Sequence, residues 1–140
     1  MKISTKGRYA LILMLDLATY NTGEPIRLKE VSKRQQISEK YLEQIISVLN
    51  KAGYVRSIRG PQGGYMLKNL PEEYTVGMIL RQTEGTLAPV TYDDANAFER
   101  EIVTSRIWSK LEVAINEVVD NITLRDLVDW QMEQANHYVI

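Results

Sequence analysis

Ser38-Glu39-Lys40-Tyr41-Leu42-Glu43-Gln44-Ile45-Ile46-Ser47-Val48-Leu49-Asn50-Lys51-Ala52 decides the fold. Leu42, Ile45, Ile46 and Leu49 recur at the i, i+3, i+4, i+7 spacing that lines one face of a helix. Ser38 is a good N-cap, since its hydroxyl can accept from a first-turn N–H, and Gly53 is a natural stop. The opposite face offers Ser38, Glu39, Lys40, Glu43, Gln44 and Ser47, the donors and acceptors that read base edges in a major groove.

Upstream, residues 28–36 read as a short helix with Leu28 and Val31 inward and Lys29, Lys33 and Arg34 outward, and Ile37 sits in a tight connection. Residues 9–18 are apolar almost all round, interrupted by Asp16, and predict a helix buried on most sides with Ser4 or Thr5 as its cap. Asn21-Thr22-Gly23-Glu24-Pro25 ends it. Downstream, Tyr54-Val55-Arg56-Ser57-Ile58 and Tyr65-Met66-Leu67-Lys68 flank Arg59-Gly60-Pro61-Gln62-Gly63-Gly64. Two β-prone runs around a glycine-rich loop predict a projecting hairpin whose backbone can approach another surface. Three helices followed by such a wing make a winged helix-turn-helix, mainly α with a small two-stranded antiparallel wing. Arg56, Arg59, Gly60, Gly63 and Gly64 become candidate DNA contacts beside the helix, and Arg59 at the tip suits a narrow minor groove.

Residues 75–82 predict a further helix, and residues 85–97 a loop. Residues 98–122 read as the longest helix. In it Trp108, Leu111, Ile115, Val118 and Ile122 follow the 3, 4, 3, 4 spacing of a seam against a partner helix, which predicts a homodimer. Thr123-x-x-Asp126 has the form of a capping box and restarts a helix through about residue 131. The resulting division is a DNA-binding domain at 1–84, a loop at 85–97, and a dimerisation helix with its tail at 98–140.

The net charge of −1 conceals a division: residues 1–70 carry 12 Lys+Arg against 5 Asp+Glu, a balance of +7, and residues 71–140 carry 5 against 13, a balance of −8. A basic half is what a phosphate-binding surface requires. A winged helix used only as a protein-interaction module has no need of that charge, and a salt titration on random duplex DNA separates the two. Zero cysteines exclude a disulfide, a thiol nucleophile and a cysteine-ligated cluster. One histidine, His137, and scattered carboxylates such as Asp93-Asp94 assemble neither a catalytic set nor a metal site, so no enzyme is expected. No apolar run is long enough to span a membrane, and the polar start is no secretory signal; a cytoplasmic protein is expected.

Met1-Lys2-Ile3-Ser4-Thr5-Lys6-Gly7-Arg8-Tyr9-Ala10, Ile37-Ser38-Glu39-Lys40-Tyr41-Leu42-Glu43-Gln44 and Arg59-Gly60-Pro61-Gln62-Gly63-Gly64-Tyr65 resemble the signature blocks of the Rrf-two (Rrf2) family of bacterial regulators. The resemblance runs from residue 1 to about 125. It implies that Ser38, Tyr41, Glu43 and Gln44 belong to a recognition helix, Arg59 to a minor-groove wing, and 98–122 to a dimerisation helix. Cluster-binding members place cysteines in the loop corresponding to 85–97 and at the start of the long helix. Their absence implies the branch without cofactor, whose type represses cysteine-metabolism genes and takes its signal through cysteine synthase. Operator, effector and any small ligand stay open. Tyr138-Val139-Ile140 presents an apolar side chain beside a free carboxylate, a pairing that a carboxylate-binding pocket captures. Tyr138 and Ile140 are therefore the expected contacts to cysteine synthase, the alternative being a tail folded back onto the dimer.

Overall fold

Leu42, Ile45 and Leu49 are fully buried and Ile46 nearly so, as their spacing predicts. Burying each such side chain contributes about 1.5–3 kcal/mol, so this single face anchors its helix. The computed structural model describes residues 2–137; Met1 and residues 138–140, including the expected contacts Tyr138 and Ile140, lie outside the described residues. The elements run α1 (Thr5–Thr19), α2 (Leu28–Gln35), α3 (Glu39–Lys51), β1 (Val55–Ile58), β2 (Gly64–Leu67), α4 (Val76–Glu84), α5 (Ala95–Arg100), α6 (Ser105–Val119) and α7 (Leu124–His137). Chain direction turns sharply between α2 and α3, where Gln36 takes φ 57°, ψ 42°. Among the described residues it is the one non-glycine with positive φ. That turn drops Ile37 into the core.

β1 and β2 pair antiparallel with Val55 opposite Leu67 and Ile58 opposite Gly64. Ile26 lies along the second strand, exchanging backbone hydrogen bonds with Tyr65 at 2.9 and 2.8 Å. One core gathers Leu13, Met14 and Leu17 of α1, the α3 face, Val55, Tyr74, Ile79 and Leu124. A smaller apolar cluster joins Val76, Leu80 and Leu87 to Ile115, Val119 and Ile122. No helix among the described residues is long and apolar enough to cross a membrane.

The expected continuous helix over 98–122 is instead two. Asp94 caps α5 by accepting from the N–H of Ala97 at 2.7 Å, so a helix begins inside the expected loop. It stops at Glu101, where the β-branched run Ile102-Val103-Thr104 loses side-chain freedom in a helix. α6 then starts at Ser105 and ends at Val119, so Ile122 sits in the following turn. The Thr123/Asp126 capping box forms, with reciprocal bonds of 2.9 and 3.1 Å. α7 runs to His137, beyond the expected end, and packs back on α1.

Candidate nucleic-acid interface

Ser38 accepts from the N–H of Tyr41 at 3.1 Å, satisfying an orphan donor of α3, and its exposed hydroxyl retains a proton to donate. Glu39, Lys40, Glu43, Gln44 and Ser47 are all exposed on the side opposite the buried face. Tyr41 differs from them: it is half-buried, its ring edge-to-face with Tyr9 at a centroid distance of 5.6 Å, so it braces α3 on α1.

The angle of α2 is fixed by a group absent from the expected site. Asp16 is buried, and its carboxylate accepts from Arg34 Nε at 3.0 Å, Arg34 Nη2 at 2.7 Å and Gln35 Nε2 at 2.8 Å. The bond to Asp16 holds the Arg34 guanidinium above its ordinary pKa, against the opposing effect of burial. Its Cζ also lies 4.1 Å from the centroid of the Tyr20 ring. Arg34 is therefore exposed, as its helical spacing suggests, yet its guanidinium reaches back to α1. A lone carboxylate in an apolar helix was the available signal, because a buried charge requires a partner.

The wing is held at both ends. At its root the buried Tyr74 hydroxyl donates to the Tyr54 carbonyl at 2.7 Å and accepts from the N–H of Asn69 at 2.9 Å, tying the residues before β1 and after β2 to one ring. Burial pushes the Tyr74 phenol up, opposed by its backbone hydrogen bonds with Asn69 and Lys68. At its tip the Gly63 N–H donates to Gly60 O at 2.9 Å, with Gly60 at φ 111°. Arg56 and Arg59 are exposed. Gly63 and Gly64 serve the hairpin itself: a Cβ would lie 2.2 Å from Ile58 O at Gly63 and 2.5 Å from Ile26 O at Gly64. The structure thus brings the α3 face and the wing arginines onto exposed surface and leaves Gly63 and Gly64 part-exposed, each with a steric role in the hairpin.

The expected seam divides. Leu111 and Val118 are exposed, joined by Ile107 and Val113, whereas Ile115 packs in the smaller cluster with Ile122. Trp108 is half-buried, and its Nε1 has no hydrogen-bond partner among the described residues. Leu111, Ala114, Ile115 and Val118 line a groove of about 370 Å³ with Ile3 and Leu87. Arg81 of α4 holds α6 through Asp120 at 2.6 and 3.0 Å and Asn116 at 2.8 Å.

A helix, a tight turn, a second helix with an exposed polar face and a two-stranded arginine-bearing wing define a winged helix-turn-helix DNA-binding protein. The chain belongs to the Rrf2 family, described as iron-dependent transcriptional regulators, whose pattern matches residues 3–130. It is 41% identical over 140 residues to the HTH-type transcriptional regulator CymR of Bacillus subtilis (strain 168), covering 99% of this chain and 98% of that protein. The solved structure of CymR, the global cysteine regulator of B. subtilis, matches with a TM-score of 0.80 at 40% identity, over 93% of this chain and 98% of that one. The structure of T. potens IscR matches with a TM-score of 0.78 at 42% identity, over 96% and 90%. The family description includes iron, yet the residues here do not fit a thiolate-held cluster. The sequence contains no cysteine, and among the described residues no three His, Asp or Glu side chains gather as a metal-binding set.

Proposed function

We propose that this regulator is a sequence-specific repressor that binds DNA as a homodimer without an iron–sulfur cluster, in the cytoplasm. Ser38, Lys40, Tyr41, Glu43 and Gln44 serve the major groove, and Arg56, Arg59, Gly60, Gly63 and Gly64 the wing contact. Residues 1–84 hold the DNA, and residues 98–122 pair two copies through Trp108, Leu111 and Val118, with Ile115 and Ile122 supporting them from beneath. The observation that carries this reading is the exposed polar face of α3 beside an exposed Arg59 on a wing anchored at root and tip. Likeness to a cysteine regulator supports sulfur metabolism as the controlled process, with cysteine synthase as the partner and Tyr138 and Ile140 as its contacts.

A mobility-shift titration tests the DNA reading. Duplex selected from a randomised pool should bind far more tightly than random duplex, and affinity for both should fall steeply with salt. Arg59→Ala should cost about 1–3 kcal/mol on the selected duplex. Salt-independent or sequence-blind binding would remove the assignment. Binding of a peptide spanning residues 131–140 to cysteine synthase tests the partner separately.

A further inference from the structure

Arg27 stands at the start of α2, exposed, in a segment that the DNA-binding reading leaves without a task. Its neighbour Ile26 pairs with Tyr65 of β2, so residue 27 emerges alongside the wing. From there the Arg27 Nη2 donates to the carbonyl oxygen of Pro61, at the tip, across 34 residues of chain. Within the tip turn the Gly63 N–H is taken by Gly60 O. Pro61 O takes no part in that bond and accepts from the guanidinium instead.

A six-residue loop rich in glycine has many conformations, and entering a minor groove selects one of them. A contact that selects the same conformation beforehand lowers that cost, so the binding free energy of the inserted side chain is retained. Arg59 lies two residues before Pro61 in the fastened turn. Arg27 carries a planar five-donor fork, which can hold a carbonyl and keep its charge beside the wing. We propose that Arg27 is a positioning residue for DNA recognition, clamping the wing tip so that Arg59 meets the groove already set. This rests on the wing reading above.

A double-mutant cycle on the wild-type-selected duplex, at fixed salt, tests it. Arg59→Ala and Arg27→Ala should each weaken binding, by about 10-fold and about 5-fold, within the range of single groove contacts. Together they should weaken it no more than about twofold beyond Arg59→Ala, because the clamp acts through Arg59. Arg27→Lys, which still donates to a carbonyl, should stay within about threefold of wild type, whereas Arg27→Met, which has no donor, should behave as the alanine variant. The melting temperature should not change, since residue 27 is exposed. In the Arg59→Ala background, Arg27→Ala should leave the salt slope unaltered. Multiplicative losses with a slope reduced by about one would make Arg27 a phosphate contact and overturn the clamp. An unaffected Arg27→Ala beside a weakened Arg59→Ala would overturn the clamp alone, and an unaffected Arg59→Ala would remove the wing reading beneath it.

Discussion

Replacing Asp16 by asparagine keeps the shape of the side chain and removes its charge. In the folded protein three N–H donors converge on that carboxylate, two from Arg34 and one from Gln35, at 2.7–3.0 Å. An amide accepts through one oxygen and turns two donors of its own toward the others, so at least one donor is left facing a donor. Hydrogen bonds to a charged group contribute about 1.5–3 kcal/mol, and breaking a buried pair from one side costs about 3–5 kcal/mol. Arg34 keeps part of its surface in water and can turn outward, which places Asp16→Asn near the lower bound, about 2–3 kcal/mol. For a chain of this size each kcal/mol moves the melting temperature by about 2–5 °C, so a drop of about 5–15 °C is expected by calorimetry. Replacing both partners, Asp16→Leu with Arg34→Met, should recover most of the loss, since neither charge then needs a counterpart. DNA binding by the double variant reports whether the pair also sets the angle of α2. If Asp16→Asn melted within a degree of wild type, the carboxylate would not be what holds α2 on α1, and the reasoning would fail.

Gln36→Gly removes a side chain from a left-handed position and should stabilise the protein by about 0.5–1 kcal/mol despite losing the Gln36 amide bond to Lys33 O, read as a raised urea midpoint with unchanged slope. Leu111→Asp places a charge on the exposed face of α6 and should give monomers in light scattering with helix content retained; a persistent dimer of the variant would move the pairing surface elsewhere. Burial pushes the Glu84 carboxyl up, but the Ser4 N–H at 2.6 Å and Ser4 O–H at 2.7 Å outweigh it and hold its pKa below the usual glutamate value. A lowered folded-state pKa stabilises fully above the unfolded value, about 4.3, and that contribution is lost as pH falls through the folded one. Glu84→Gln should therefore reduce stability at pH 7 and flatten the decline below about pH 4.3; parallel pH curves for the two proteins would exclude Glu84 as a contributor.

Local signals were readable in the sequence because their physics is local. Ser38 caps the helix that follows it, the α3 stripe is buried, Gly53 takes φ 78°, and Thr123 and Asp126 close their box. What escaped depends on residues far apart in the chain. Arg34 lies on the polar side of α2 by spacing, and only the fold brings Asp16 beneath it. Arg27 meets Pro61 through the Ile26–Tyr65 pairing, which no periodicity announces. Gly63 and Gly64 look equally free as letters, yet carbonyls of Ile58 and Ile26 occupy the space of their missing side chains. The heptad spacing of residues 108–122 was real but assumed one uninterrupted helix facing one neighbour. α6 ends at Val119, and its Ile115 flank is claimed by α4 of the same chain.

Leu124 is fully buried in the core that supports α3, its N–H donates to Tyr74 O at 2.9 Å, and the same Tyr74 ring secures the wing root. The order of synthesis therefore matters. A ribosome that has made the whole basic half, wing included, has not yet supplied the residue that completes its core. Helix α6, on which the proposed dimer rests, is finished before that point, while the DNA-binding half is not yet able to hold its shape. A nascent or prematurely terminated chain ending before α7 should be a substrate for proteases and chaperones, not a partial occupant of an operator.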